Sequence, residues 1–359
     1  MDYLDYTNEF IEEMAKRQEN NIVYSKYYFR ISTNFEGNLK EKLEKKSNRI
    51  KDCLSLMVWD KYEQNKVLDL LRVDRCMDKF CTNCRTFGIA KVLHNFRPAF
   101  ELMLNQGYKP FLLTLTVPNV QGKDLEYTIR KMNKAFTTFF TWLNKEGAKG
   151  FSKRFIKFKA CVKVLEVNVQ ASDHNMYHPH FHVLLFLDSE EFYELDDELE
   201  KNIEGSWSKK FNKRNYYCAL DIQIMQLWYM AFNGSNITQF DCCSELWYEL
   251  YQTDFKPLSN KKGLFEVFKY TFKDKDIYNV KNFSDLYFAL ENKRLRQGYG
   301  ELYNLKLEEE CGDKLELDLE IIEAPQQLLT KELKTLYTVY QGYKKISRFN
   351  AHKDIDKIH

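Results

Sequence analysis

Three of the chain's seven histidines stand at alternate positions in one short stretch, "YHPHFHVLLFLD" (177–188): His178, His180 and His182, with His174 just upstream. Alternate residues of a β-strand point to one side of a sheet, so these imidazoles would share a face. The preceding stretch, "CVKVLEVNVQ" (161–170), is a natural hairpin partner. By parity, Leu165, Val167, Val169, Phe181, Val183, Leu185 and Leu187 fall on one apolar side. Glu166, Asn168, Gln170 and the histidines fall on the other. Cross-strand neighbours lie within about 5.5 Å of each other, close enough to share one ion. Two imidazoles and a carboxylate make a mixed nitrogen and oxygen set with open coordination positions, which suits an ion that polarises a substrate oxygen. The plain alternative is a solvated polar strand face that binds nothing. Pro179 limits ladder pairing and predicts a sheet edge or a loop exit at that end.

A second constellation is "RCMDKFCTNCR", with Cys76, Cys81 and Cys84, the last two spaced as CxxC, and Cys53 upstream. A CxxC knuckle holds two thiolates on one tight turn, and two further cysteines complete a tetrahedral structural zinc site. A redox pair or buried free thiols are the alternatives, but no thioredoxin-like pattern surrounds this CxxC. Cys161, Cys218, Cys242, Cys243 and Cys311 lack ligand spacing, apart from the adjacent pair, and read as core or incidental.

These residues need elements to hold them. "PFLLTLTVPN" (110–119), bounded by Pro110 and Pro118, reads as a strand. Residues 123–147 carry a helical stripe of Leu125, Ile129, Met132, Phe136, Phe139 and Leu143. Residues 189–204 read as an acidic helix, "YCALDIQIM" (217–225) as a strand, and 244–252, 262–275 and 284–294 as helices. The first 50 residues are polar and helix-compatible, ending in the basic run "LKEKLEKKSNRIK". The tail holds one alternating stretch, "KLELDLEII". Strands of this kind with interspersed helices predict an α+β fold. Composition excludes little: 54 basic and 52 acidic residues leave a net charge of +2, within which local basic patches still fit a nucleic-acid partner. "KGFSKRFIKFK" (149–159) is such a patch, where Lys153, Arg154 and Lys157 interleave with phenylalanines as phosphate contacts and base stacking require. A surface strand with core phenylalanines is the other reading. No long apolar run or charged-then-apolar leader is present, and nine cysteines without a leader point to a reducing cytoplasm.

Taken in order, the motifs resemble the rolling-circle replication initiators of small Gram-positive plasmids, members of the HUH endonuclease superfamily. The HUH element is His180-Phe181-His182. The cysteine region is similar to that family's zinc-binding segment with Cys53 first, although "CTNC" lacks the proline often found there. "FLLTLTVPN" looks like its first conserved strand, "EVFKYTFKDKD" like its catalytic helix, and "ALENKRLRQGYGELYNL" like its C-terminal segment. The resemblance covers about residues 50–305. It implies a ferredoxin-like, HUH palm-like domain over 105–305 with the histidine strand in the middle of an antiparallel sheet. Around it stand a helical region (1–50), a zinc segment (51–100) and a C-terminal extension (306–359).

It also implies a reaction: Tyr270 nicks one strand at the plasmid origin, forms a 5′-phosphotyrosine link and leaves a 3′ hydroxyl for priming, and Glu266 serves termination. His180 and His182 would hold Mn(II) or Mg(II), with Glu166 as third ligand and His178, Asn168 and His174 as its rivals. Lys273 and Lys269 are further candidates for DNA contacts, Lys269 reading equally as a solvated cation. On a helix, Glu266 and Tyr270 share one face, and Lys273 follows one turn on. Phe265, Phe268 and Phe272 form a docking stripe elsewhere. Tyr278 is the competing nucleophile. The implied partners are origin DNA, single-stranded or extruded as a hairpin, and host helicase and polymerase. An HUH transposase or relaxase, a non-catalytic origin-binding copy-control protein and a metal-dependent hydrolase are the competing readings.

Overall fold

The computed structural model describes residues 3–54, 56–62, 67–73, 75–144, 158–170, 172–187, 219–236, 253–258, 267–268, 272–274, 277–304, 336–341 and 344–350. The expected helices at 189–204 and 244–252, the stretch "KLELDLEII", and Lys153, Arg154, Lys157, Phe265, Glu266, Lys269 and Tyr270 lie outside the described residues. The chain forms two compact units, Met1–His94 with Glu309–His359, and Asn95–Glu308.

In the first unit, helices α1 (Tyr3–Ser32) and α2 (Gly37–Lys51) pack against each other. The buried positions of α2 are Leu43, Ser47 and Ile50, spaced for one helical face, so the cations of the basic run stand mostly away from that seam. Strands β1 (Leu56–Tyr62) and β2 (Val67–Val73) pair antiparallel. They form a four-stranded sheet with β9 (Leu336–Gln341) and β10 (Lys344–Asn350), in the order β10-β9-β1-β2. The chain's last described residues thus share a sheet with some of its first. Helix α3 (Thr82–Asn105) begins in this unit, and the division between the units falls within it.

The second unit is built on a sheet in the order β7-β3-β6-β5-β8, with every pairing antiparallel. Its strands are β3 (Lys109–Thr116), β5 (Phe158–Val169), β6 (Met176–Leu187), β7 (Thr253–Pro257) and β8 (Arg296–Gly300). The short β4 (Val120–Gln121) adds to β6 beyond the end of β3. The histidine strand β6 is central. Pro179 is therefore inside the sheet rather than at an edge, and the reason it is tolerated is local. On the β3 side the pairing ends at His180 and resumes at Tyr177 with β4, so the missing N–H of proline falls in a gap between two partners.

Both faces of the sheet are covered. On one, Phe136 of α4 (Gly122–Asn144) packs edge-on to Phe181, and Trp228 of α5 (Ala219–Asn233) meets Phe139 and Phe181. A third helix, α6 (Val280–Leu290), packs on α4 and is capped by the Asn279 side chain, which accepts from the backbone N–H of Lys281 and Asn282. On the other face, Phe96 and Phe100 of α3 reach Phe186, and Phe96 also reaches Phe268. Each such fully buried aromatic or aliphatic side chain contributes roughly 1.5–3 kcal/mol.

One expected element is corrected. "YCALDIQIM" reads as a strand, but from Ala219 the chain is helix α5. Nine residues satisfy alternation and helical periodicity alike. The continuation through Leu227, Trp228 and Ala231, buried together with Ile224 on a 3.6-residue repeat and free of Gly or Pro, decides for the helix.

Candidate metal centre

The register of β5 on β6 sets Glu166 directly opposite His180 and Val164 opposite His182. Parity then brings the carboxylate and both imidazoles to one face, where their ligand atoms all lie within 4.8 Å of one another. Glu166 Oε2 is 2.9 Å from His182 Nε2 and 3.4 Å from His180 Nε2. The other ring nitrogens are engaged behind them: His180 Nδ1 with the His178 carbonyl oxygen at 3.1 Å, His182 Nδ1 with Thr114 Oγ1 at 3.3 Å. Such contacts orient an imidazole so that its Nε2 faces the shared point. Burial alone would raise the Glu166 carboxyl. The hydrogen bonds and charges of His180 and His182 outweigh it and hold that carboxyl well below the usual carboxylate range. Two imidazoles and an ionised carboxylate are a fitting donor set for a divalent ion.

Lys273 Nζ stands 3.5 Å from the second carboxylate oxygen of Glu166. The flanking residues are anchored: Val267, Phe268 and Phe272 are buried, and Phe268 packs on Phe96 with ring centroids 4.9 Å apart. Two of the three rivals for third ligand, the histidines, have other contacts. His178 Nδ1 pairs with Asn119 Oδ1 at 2.8 Å. His174 stacks on Tyr278, with centroids 3.8 Å apart and ring planes 4° from parallel. Tyr278, the competing candidate for nucleophile, lies just before α6 and rests an exposed ring against His174 of the β5–β6 turn. Sequence reasoning did not single out Thr114 or Asn119, because only the register of β3 and the turn after it brings them here.

The four cysteines also come together in the first unit. Cys53, Cys76, Cys81 and Cys84 are all buried and form one group of potential ligands. Cys53 Sγ lies 3.5 Å from Cys84 Sγ and 3.4 Å from Cys81 Sγ, and Cys76 Sγ 3.6 Å from Cys84 Sγ. Contacts from Cys53, Cys76 and Cys81 push the Cys84 thiol down, while burial and the other three push Cys81 up. The backbone turns sharply at the cluster. Leu54 and Met77, each just after a cysteine, have φ of 60° and 56°, a left-handed conformation unusual for such residues. Helices α1 and α2 clasp the segment. Asn21 donates to Cys81 Sγ, Tyr28 and Lys46 reach the Asp78 carboxylate, and Arg49 donates to the Cys76 carbonyl. These buttresses stand between 27 and 60 residues before the groups they hold, and no local signal in the sequence marks them. Thiolate sets of this kind are suited to zinc.

A central antiparallel sheet that gathers two histidines and a glutamate, with a four-cysteine group elsewhere in the chain, defines an α+β protein with two potential metal-binding groups. The family described as "Replication protein" matches residues 67–348, well over half of the chain, and the chain belongs to that family. The chain is 25% identical over 272 residues to "Protein rep" of Staphylococcus aureus, covering 74% of this chain and 94% of that protein. It is 26% identical over 286 residues to "Protein rep" of a Bacillus species, covering 77% and 84%. The resemblance to Gram-positive Rep initiators that the motifs carry therefore holds. No solved structure matches. No helix among the described residues is long and apolar enough to cross a membrane.

Proposed function

We propose that the protein is a plasmid replication initiator of the HUH type that nicks one strand of its origin and rejoins it at termination. The observation that carries this reading is the convergence of Glu166, His180 and His182 on one sheet face. The strand order supports a ferredoxin-like palm: β3–α4–β5 and β6–α5–β7 each connect strands that are separated by a third, the split βαβ arrangement. A divalent ion, Mn(II) or Mg(II), bound by these residues would polarise the scissile phosphate and stabilise the charge that builds on it.

Tyr270 supplies the nucleophile. Its hydroxyl gives up a proton and its oxygen attacks phosphorus. The bond to the 3′ oxygen breaks and leaves a 3′ hydroxyl for the polymerase, with the 5′ phosphate on the tyrosine. Glu266 acts as general base at termination. Support for Tyr270 comes from its neighbours. It follows Phe268 by two residues and precedes Lys273 by three, and Lys273 reaches Glu166; three residues span at most about 11 Å. Lys269, Lys273, Lys153, Arg154 and Lys157 provide phosphate contacts, the four cysteines hold structural zinc, and host helicase and polymerase complete the cytoplasmic replication complex.

The test is a covalent adduct. With Mn(II) and single-stranded origin oligonucleotides the wild type forms one that survives denaturation, Tyr270→Phe forms none, and Tyr278→Phe retains it. An adduct that persists in Tyr270→Phe, or vanishes only in Tyr278→Phe, assigns the nucleophile elsewhere.

A further inference from the structure

Asn168 lies two residues beyond Glu166 on β5 and directly opposite His178, on the same face as Glu166, His180 and His182. Residues two apart on a strand are separated by about 6.6 Å, a gap that side chains leaning toward each other readily narrow. The amide oxygen of Asn168 is buried and has no hydrogen-bond partner. An acceptor left in that state costs about 1–3 kcal/mol, so it calls for a ligand or a role. The nearby proton donors are directed elsewhere: His178 Nδ1 to Asn119, His180 Nδ1 to the His178 carbonyl, His182 Nδ1 to Thr114 and Lys273 Nζ to Glu166. On a face that already collects two imidazoles and an ionised carboxylate, the species that satisfies a bare oxygen is a cation.

We propose that Asn168 Oδ1 is a further oxygen ligand of the ion held by Glu166, His180 and His182. The inference rests on reading those three residues as a metal centre. Its chemistry is distinctive. An amide oxygen is a hard, neutral donor, so it shifts the set toward oxygen-preferring ions such as Mn(II) and Mg(II) and away from zinc. Being neutral, it leaves the single carboxylate charge of Glu166 against two positive charges on the ion. The centre therefore keeps a net positive charge for an anionic phosphate, which an aspartate at the same place would cancel.

The experiment is a Mn(II) titration of the zinc-loaded full chain, followed by electron paramagnetic resonance at one fixed pH. Removing an oxygen ligand with Asn168→Leu should weaken Mn(II) binding by about tenfold or more and alter the bound-ion spectrum, with thermal unfolding in the absence of Mn(II) unchanged. Asn168→Asp, which keeps an oxygen and adds a charge, should tighten binding. It also provides the decisive measurement if the leucine variant does not fold. Wild-type affinity and spectrum in Asn168→Leu, or unchanged affinity in Asn168→Asp, overturns the assignment while leaving the three-residue centre in place. A wild type that binds no Mn(II) removes both.

Discussion

Behind the histidines, on the opposite face of the same strands, Lys163 is only 3% exposed. Its ammonium donates to Asn133 Oδ1 at 2.7 Å and lies over the rings of Phe136, Phe181 and Tyr299. Burial brings its pKa down from 10.5 to about 8, with Cys161 acting the other way. Because the folded pKa lies below the unfolded one, the unfolded chain binds more protons between these values, and stability rises with pH across that window. Lys163→Met should therefore be more stable than wild type near neutral pH, by at most roughly 3 kcal/mol. The advantage should shrink between pH 8 and pH 10.5, as urea unfolding of the two proteins at a series of pH values would report. A gap that stays constant across that range would mean that the ring and amide contacts repay the burial in full. Parity in the sequence was enough to bring Glu166 to the histidines. It gave no hint of Lys163, which stands in the apolar row, because its tolerance depends on rings from α4 and β8.

At the level of elements, the strands that carry the site were legible because one face of each is apolar, and α4 because its stripe repeats cleanly. Helix α5 was misread for want of a longer window, and the Pro179 end of β6 was expected at a sheet edge or a loop exit, although a proline is costly only where a ladder partner exists. The segment "RQGYG" shows what a motif match leaves unsaid. Gly298 on β8 pairs with Val162. The turn after β8 folds back, with Leu302 N–H bonded to the Tyr299 carbonyl, so that a Cβ at Gly298 would run into the Leu302 backbone carbonyl. Backbone cannot swing aside as a side chain can. Gly298→Ala is therefore expected to cost about 1–3 kcal/mol through local displacement, seen as a lower urea midpoint with an unchanged slope. A midpoint equal to wild type would show that the turn relaxes freely.

Across the whole chain, each potential metal-binding group belongs to one unit: the four cysteines to Met1–His94 with Glu309–His359, and Glu166, His180 and His182 to Asn95–Glu308. The grouping of the two chain ends was not readable from sequence, because β1 and β9 are joined only by their pairing, across nearly three hundred residues. Thiolate and imidazole–carboxylate sets also differ in the ions they prefer. Losing one ion should thus leave the other centre intact. Cys81→Ser removes a buried thiol that touches Cys53 Sγ and receives the Cys84 N–H. We expect it to lose zinc by elemental analysis and to unfold at lower temperature, since structural zinc contributes directly to folding. Its Mn(II) affinity should stay at the wild-type value. His182→Ala should do the reverse, keeping zinc and losing Mn(II). Zinc content unchanged in Cys81→Ser would remove the cysteines from metal binding, whereas a parallel loss of Mn(II) affinity would show that the sheet carrying Glu166, His180 and His182 depends on the cysteine-bearing unit for its order.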